Sequence, residues 1–97
     1  MGRARKFSDN DIDYLAWTKS HPNGFVLNVR RNPDSEYVVL HRASCPTISN
    51  EKQTPGAFTG RSYRKYCADN VADLRVAAAL EGRLDQSFSK KCSRCNP

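Results

Sequence analysis

The sequence has few of the residues that build a large apolar interior. Apolar residues make up 38% of the 97, and with the 5 glycines added the share still falls short of the ~45–50% typical of globular domains. This length predicts one domain over residues 1–97. Because so short a chain buries a limited core, domains of this size often depend on a metal, a disulfide or a partner for stability.

Long hydrophobic runs are also missing. No stretch approaches the ~20 apolar residues of a membrane-spanning helix. The basic residues 1–6 lead into a charged, helix-like stretch instead of the apolar run of a secretory signal. We therefore expect a cytoplasmic protein with no membrane partner, and a flexible basic arm over residues 1–6. In the reducing cytoplasm, paired cysteines bind metal more often than they form disulfides.

Histidine is scarce, and the common catalytic motifs are missing. The sequence has only 2 histidines, and no H-E-x-x-H, glycine-rich phosphate loop or G-x-S-x-G. The carboxylates fall mostly at predicted helix starts, where capping explains them. We therefore expect no enzymatic activity. The alternative is a zinc- or thiol-dependent enzyme in which Cys67 is a free reactive thiol.

What the sequence does contain predicts an α+β fold. Ser8 can cap a helix over residues 8–20, and a second helix with one apolar face follows Asn70. Apolar or alternating runs at residues 25–29, 36–41 and 61–67 predict a short antiparallel sheet of about three strands. The expected fold is a small zinc-stabilised domain in which a C-terminal C-x2-C knuckle follows the second helix.

Three of the four cysteines fall in two short motifs of the metal-binding type. His41 and Cys45 form H-x3-C at the end of a predicted strand, and Cys92 and Cys95 form C-x2-C near the C-terminus. Two such half-sites supply the four N and S ligands of a tetrahedral structural zinc ion. The sequence therefore predicts one Zn²⁺ on His41, Cys45, Cys92 and Cys95. Cys67, at the end of the third predicted strand, is the alternative to His41.

The stretches HRASCP and CSRC resemble the metal-binding N-terminal domain of the bacterial Ada DNA-repair family. That family carries C-x3-C, a strand, a helix and C-x2-C around zinc, and the same order runs here from His41 and Cys45 to Cys92 and Cys95. The resemblance implies a zinc fold and contact with DNA. His41 stands where the family has its methyl-accepting cysteine, so the resemblance argues against alkyl-transfer repair.

The charge balance favours a polyanionic partner. The net charge is +6, and basic residues flank the proposed zinc ligands, as expected of a surface that binds nucleic acid. We predict a non-catalytic domain that binds nucleic acid, with DNA, including modified DNA, as the expected form. A zinc-stabilised protein-interaction adaptor with a solvated basic surface is the alternative. The candidate phosphate contacts are Arg42, Arg61, Arg64, Lys65, Lys90, Lys91 and Arg94.

Overall fold

The protein is described by a computed structural model over residues 4–49 and 56–97. Its elements, in chain order, are β1 Arg5–Phe7, α1 Asp11–Ser20, β2 Phe25–Arg30, β3 Val38–Arg42, β4 Tyr63–Ala68, α2 Val71–Leu80 and β5 Lys90–Lys91. The strands form one sheet in the order β1-β4-β2-β3-β5. Across these residues no helix combines the length and apolar character needed to cross a membrane.

One face of the sheet packs against α2. Successive residues of a strand point to opposite faces, and Leu27, Leu40 and Tyr66 point to this one. They form a buried core with Leu74 and Ala78 of α2. The second helix predicted from the sequence corresponds to α2, and its apolar face is the one that packs on the sheet.

The opposite face packs against α1 and the chain that follows β3. Val26 pairs with His41 on β3 and with Cys67 on β4, so these three side chains share this face. Val26 and Cys67 lie in a second buried core with Tyr14 of α1 and Ile48. Because both faces are covered, the interior residues of β2 and β4 are buried whether they are apolar or polar.

Both helices begin after an asparagine cap. Asn10 and Asn70 each accept a hydrogen bond from the backbone N–H three residues on, at 3.1 and 2.9 Å. Ser8 is therefore not the cap of α1, and the observed cap, Asn10, lies two residues later than the predicted one. Asp11 accepts hydrogen bonds from the backbone N–H and the hydroxyl of Thr59. This contact ties the start of α1 to the turn that precedes β4.

The prediction of a short, three-stranded antiparallel sheet is wrong. The sheet has five strands, and β5 pairs with β3 in parallel, which makes it mixed. Arg5 and Lys6, assigned to a flexible arm, lie in β1 and pair with β4; residues 1–3 of that arm lie outside the described residues. β1 has three residues and β5 two. Strands this short carry no readable alternation, so they could not be predicted from sequence periodicity.

Candidate metal centre

One half of the candidate centre comes from the middle of the chain and the other from its C-terminal segment, and the two meet at the end of β3. His41 lies in β3, and Cys45 lies in the turn that follows it, where its N–H donates to the carbonyl of Arg42 at 3.0 Å. Cys92 follows β5, and its N–H donates to the carbonyl of Leu40 at 2.9 Å. The parallel pairing of β5 with β3 thus brings the C-terminal cysteines beside His41.

The side chains of His41, Cys45, Cys92 and Cys95, called here the Cys3His cluster, have the spacing of a metal site. Their ligand atoms all lie within 4.8 Å of one another. The Cys45 and Cys92 sulfurs are 4.0 Å apart, and Zn–S bonds of about 2.3 Å at a tetrahedral angle would place them about 3.8 Å apart. All three cysteines are free thiols. Their spacing therefore fits shared coordination rather than a disulfide.

His41 has the burial and protonation state of a ligand. Among the described residues, its buried Nδ1 atom has no hydrogen-bond partner, which is costly for a polar atom unless something else binds it. Burial, together with the nearby positive charges of Lys65 and Lys90, lowers the pKa of His41 to about 4. The imidazole is therefore neutral at pH 7, which is the form that coordinates metal ions.

The thiols influence one another strongly. Burial acts to raise the pKa of Cys92, but hydrogen bonds from the backbone N–H groups of Cys95 and Arg94 outweigh it, so this pKa is lowered. The pKa of Cys95 rises to about 11 through burial and the adjacent Cys45 and Cys92 thiols, although the backbone N–H of Arg42 opposes the rise. Adjacent thiolates repel one another unless a cation lies among them. The donor set therefore fits a divalent metal ion.

Arg42 holds the C-terminal knuckle in place. Its backbone N–H donates to the Cys95 sulfur at 3.2 Å. Its guanidinium donates to the carbonyl oxygens of Cys95 and Asn96, each at 2.9 Å. These contacts fix the chain around Cys95 and also place a positive charge beside the thiols.

Cys67, the alternative fourth ligand, lies apart from the cluster. It is separated from His41 by Val26 on β2, and neighbouring strands are ~4.8 Å apart, which puts the two residues roughly 10 Å from each other. The side chain is buried in the core under α1. Burial raises the pKa of its thiol well above the usual value, despite the opposing effect of Lys65 and Arg5. The geometry thus groups His41, and not Cys67, with the other three cysteines.

The predicted phosphate contacts divide into exposed and buried residues. Arg64 and Lys65 are buried, with exposed fractions of 6% and 2%, so neither presents its cation to a ligand at the surface. Arg64 donates to the carbonyl oxygens of Tyr63 and Arg61 and pairs with Asp9 at 3.6 Å. Arg64 and Lys65 were predicted to be exposed because the sequence does not show that helices cover both faces of the sheet. The remaining contacts are exposed: Arg42, Arg61, Lys90, Lys91 and Arg94.

Several polar side chains, joined by hydrogen bonds that the sequence did not indicate, lie next to the Cys3His cluster. Lys65 donates from Nζ to Asn28 Oδ1 at 2.8 Å, and the Asn28 amide donates to the Tyr37 hydroxyl at 3.3 Å. Asn28 and Tyr37 line a cavity that also touches His41 and Cys92. Asn28 lies in the middle of the apolar strand β2. A lone polar residue among apolar strand positions is the feature of the sequence that could have revealed these hydrogen-bonded side chains.

Comparison with known proteins gives no match: no family model, curated protein or solved structure matches the chain. What the geometry itself defines is a small α+β domain with a candidate metal centre at one end of its sheet. The resemblance to the Ada-type domain therefore stays a prediction from the two motifs.

Proposed function

We propose that the chain is a zinc-binding domain in which the Cys3His cluster holds one structural zinc ion. The observation that carries the proposal is the convergence of four N and S donor atoms within 4.8 Å. Thiolate and imidazole ligands select zinc over magnesium and calcium, which prefer oxygen. When bound, the ion supplies the positive charge that lets the thiols ionise together. The protein ligands then join β3 to the C-terminal segment.

A structural role suits the ligand set better than a catalytic one. Four protein side chains complete a tetrahedral site, whereas a catalytic zinc keeps one position for water or substrate. Cys67 gives a thiol-dependent enzyme no support, because it is buried and its pKa is raised by that burial and the thiolate is the reactive form. We therefore assign the cluster to stabilising the fold.

Substitution of the ligands tests this assignment. Cys92→Ser removes one thiolate, and we expect the variant to bind zinc weakly and to unfold at much lower temperature, since structural zinc contributes on the order of 10 kcal/mol. His41→Ala should behave in the same way. Zinc per chain, measured on the purified variants, and their thermal unfolding give the comparison.

Cys67→Ser is the matched control for Cys92→Ser, because it makes the same chemical change outside the cluster. It should keep one zinc per chain, although the new hydroxyl in the core lowers stability somewhat. Loss of zinc from Cys67→Ser together with tight zinc in His41→Ala would show that Cys67, and not His41, completes the site.

The second part of the proposal is that the domain binds nucleic acid, with DNA as the expected form. Its support is the positive charge beside the cluster, where Lys90, Lys91 and Arg94 are exposed and flank Cys92 and Cys95. A further group of arginines lines a cavity of about 390 Å³ at the far end of β2. Such surfaces attract phosphates. The two motifs that resemble the Ada-type domain favour the same partner. The arginines that line the cavity at the far end of β2 are Arg30, Arg31 and Arg61.

A salt titration of one lysine variant tests this partner. On duplex DNA, log K falls with log salt by about 0.9 for each phosphate that the protein neutralises. Lys91→Gln should weaken binding and reduce that slope by about one contact. Lys6→Gln is the control, because it makes the same change on β1 at the opposite edge of the sheet and should leave the slope unchanged.

Two results would contradict nucleic-acid binding at this surface. One is the absence of measurable binding to DNA and RNA at low salt. The other is an equal reduction of the slope by Lys91→Gln and Lys6→Gln, which would mean that net charge, and not this surface, governs binding.

An exposed apolar stripe favours a second candidate function, that of a protein-interaction adaptor. Val76 and Leu80 lie one turn apart on α2, and with Leu84 they are 55%, 70% and 88% exposed. Exposed apolar groups of this kind mark surfaces that bind other proteins. The adaptor predicts only weak binding to DNA that salt abolishes, with no larger effect of Lys91→Gln than of Lys6→Gln, so the titration described above separates the two functions.

A further inference from the structure

A cavity of about 360 Å³ lies beside the Cys3His cluster. Val39 and Ile48 give it apolar walls, and Asn28, Tyr37 and Lys90 give it polar groups. Pockets that bind small molecules span roughly 300–1,000 Å³ and combine apolar walls with a few placed polar groups. The volume is at the lower end of that range, which suits one ring system rather than a segment of peptide.

The Asn28 side chain is held in one orientation toward this cavity. Lys65 Nζ donates to Asn28 Oδ1 and to the carbonyl of Phe58, each at 2.8 Å. Because an ammonium group can only donate, the amide oxygen must face Lys65 and the NH₂ group must face away. One N–H of that group donates to the Tyr37 hydroxyl. The other makes no hydrogen bond within the described residues and is available to a ligand.

Besides its two hydrogen bonds, the Lys65 ammonium lies 5.8, 5.9 and 5.5 Å from the ring centroids of Tyr14, Phe58 and Tyr63, which stabilise the buried cation. Among the described residues, no carboxylate makes an ion pair with Lys65, which is 2% exposed. A buried charge of this kind is unfavourable compared with an apolar side chain of similar size. A lysine at this position is useful, however, for fixing which end of the Asn28 amide points into the cavity.

We propose that the cavity binds one unstacked nucleobase, with a hydrogen-bond acceptor on the base taking the Asn28 N–H. The proposal rests on the nucleic-acid function given above. The flat ring would pack against Val39 and Ile48, and the attached phosphate would lie toward the exposed Lys90. A free nucleotide and a base turned out of a strand offer the same chemistry, so the test must separate these two sources.

The test uses the full, zinc-loaded chain and two fluorescent single strands of equal length and charge. One is a mixed-sequence deoxyoligonucleotide, and the other is an abasic strand with the same sugar-phosphate backbone. The wild type should bind the strand with bases about tenfold more tightly, a difference of ~1.4 kcal/mol. Asn28→Asp keeps a partner for Lys65 but removes the N–H donor, and should bring the two affinities together.

Asn23→Asp is the matched control, because it makes the same change at an exposed turn position and should keep the tenfold preference. Should Asn28→Asp fail to fold, Val39→Met replaces it, since the longer side chain would grow into the cavity and displace the base. A folded Asn28→Asp or Val39→Met variant that retains the full preference would overturn the proposal.

The remaining outcomes separate this proposal from the function on which it rests. Equal, salt-dependent affinity of the wild type for both strands would overturn the base pocket and leave nucleic-acid binding intact. If neither strand binds, the four deoxynucleoside monophosphates are titrated against the protein and followed by NMR. Shifts of the backbone amide signals of Val39 and Ile48, which line the cavity, that are seen in the wild type and lost in Asn28→Asp would assign the cavity to free nucleotides. The absence of shifts would overturn it.

Discussion

Lys65 shows how far a single residue can depart from what its type suggests. The sequence placed it among the phosphate contacts, yet its ammonium group is buried, with Asn28 and the Phe58 carbonyl as its hydrogen-bond partners. Burial lowers its pKa to about 8, although Asp11 and Cys67 act in the opposite direction. Charge alone cannot distinguish such a lysine from a surface lysine, because the distinction depends on which elements cover its strand.

The lowered pKa of Lys65 predicts a pH-dependent stability. The unfolded lysine, with a pKa near 10.5, holds its proton up to higher pH than the folded one does, with a pKa of about 8. The folded state therefore gains stability as pH rises from about 8 to about 10.5, by on the order of 3 kcal/mol. We expect the unfolding free energy of the wild type, measured by denaturant titration, to increase across this range relative to Lys65→Met.

Lys65→Met is the reference because methionine fills a similar space and does not titrate. All the other groups that titrate in this pH range are present in both proteins, so their contributions cancel in the difference. The readout is the change with pH of the difference between the two proteins. A difference that stays constant between pH 8 and 10.5 would mean that Lys65 has an ordinary pKa and is not buried as described.

At the scale of elements, the first residue of α1 adds hydrogen bonds to the buried contacts that Tyr14 of the same helix makes with the core. Asp11 Oδ1 accepts a hydrogen bond from the Thr59 N–H at 2.8 Å, and Oδ2 accepts one from the Phe58 N–H at 3.3 Å. Burial acts to raise the pKa of Asp11, but these hydrogen bonds and that of the Thr59 hydroxyl lower it overall. The carboxylate therefore stabilises the fold above pH ~4 and loses this effect in more acidic solution.

Substitution of Asp11 should lower the unfolding free energy by more than is usual for a residue at the start of a helix. Asp11→Ala leaves the buried Thr59 with an unsatisfied N–H, so we expect a loss of about 2 kcal/mol in unfolding free energy. Asp13→Ala is the control in the same helical turn, and it removes the exposed contact with Asn10 together with a comparable interaction with the helix dipole. Its expected loss is about 0.5 kcal/mol. Equal losses in denaturant unfolding would show that Asp11 acts only through the helix dipole.

The strands show which elements the sequence could predict. β2, β3 and β4 are long enough to show an apolar or alternating pattern, and the predicted segments overlap all three. β1 and β5 have three and two residues and are basic, so local sequence gives no reason to expect pairing. They are strands because β4 and β3 offer free edges beside them. The mixed character of the sheet follows from β5 and was not predictable without it.

At the scale of the whole molecule, the candidate metal centre was more predictable than the fold around it. H-x3-C and C-x2-C fix the kind of ligand by residue type and short spacing, and these are properties of the sequence itself. The choice between His41 and Cys67 is different, because it depends on strand order. Only the sheet shows that Val26 separates them. The cavity beside the cluster likewise depends on Asn28 and Lys65 meeting across two strands.

The central claim is that one zinc ion joins β3 to the C-terminal knuckle and thereby stabilises the domain. It is tested most directly by measuring the zinc content of the freshly purified chain together with its thermal unfolding before and after treatment with a chelator. We predict one zinc per chain, release of zinc by the chelator, and a large, zinc-reversible fall in the unfolding temperature. A metal-free chain that unfolds at the same temperature with and without chelator, or one whose cysteines are joined as disulfides, would contradict the account.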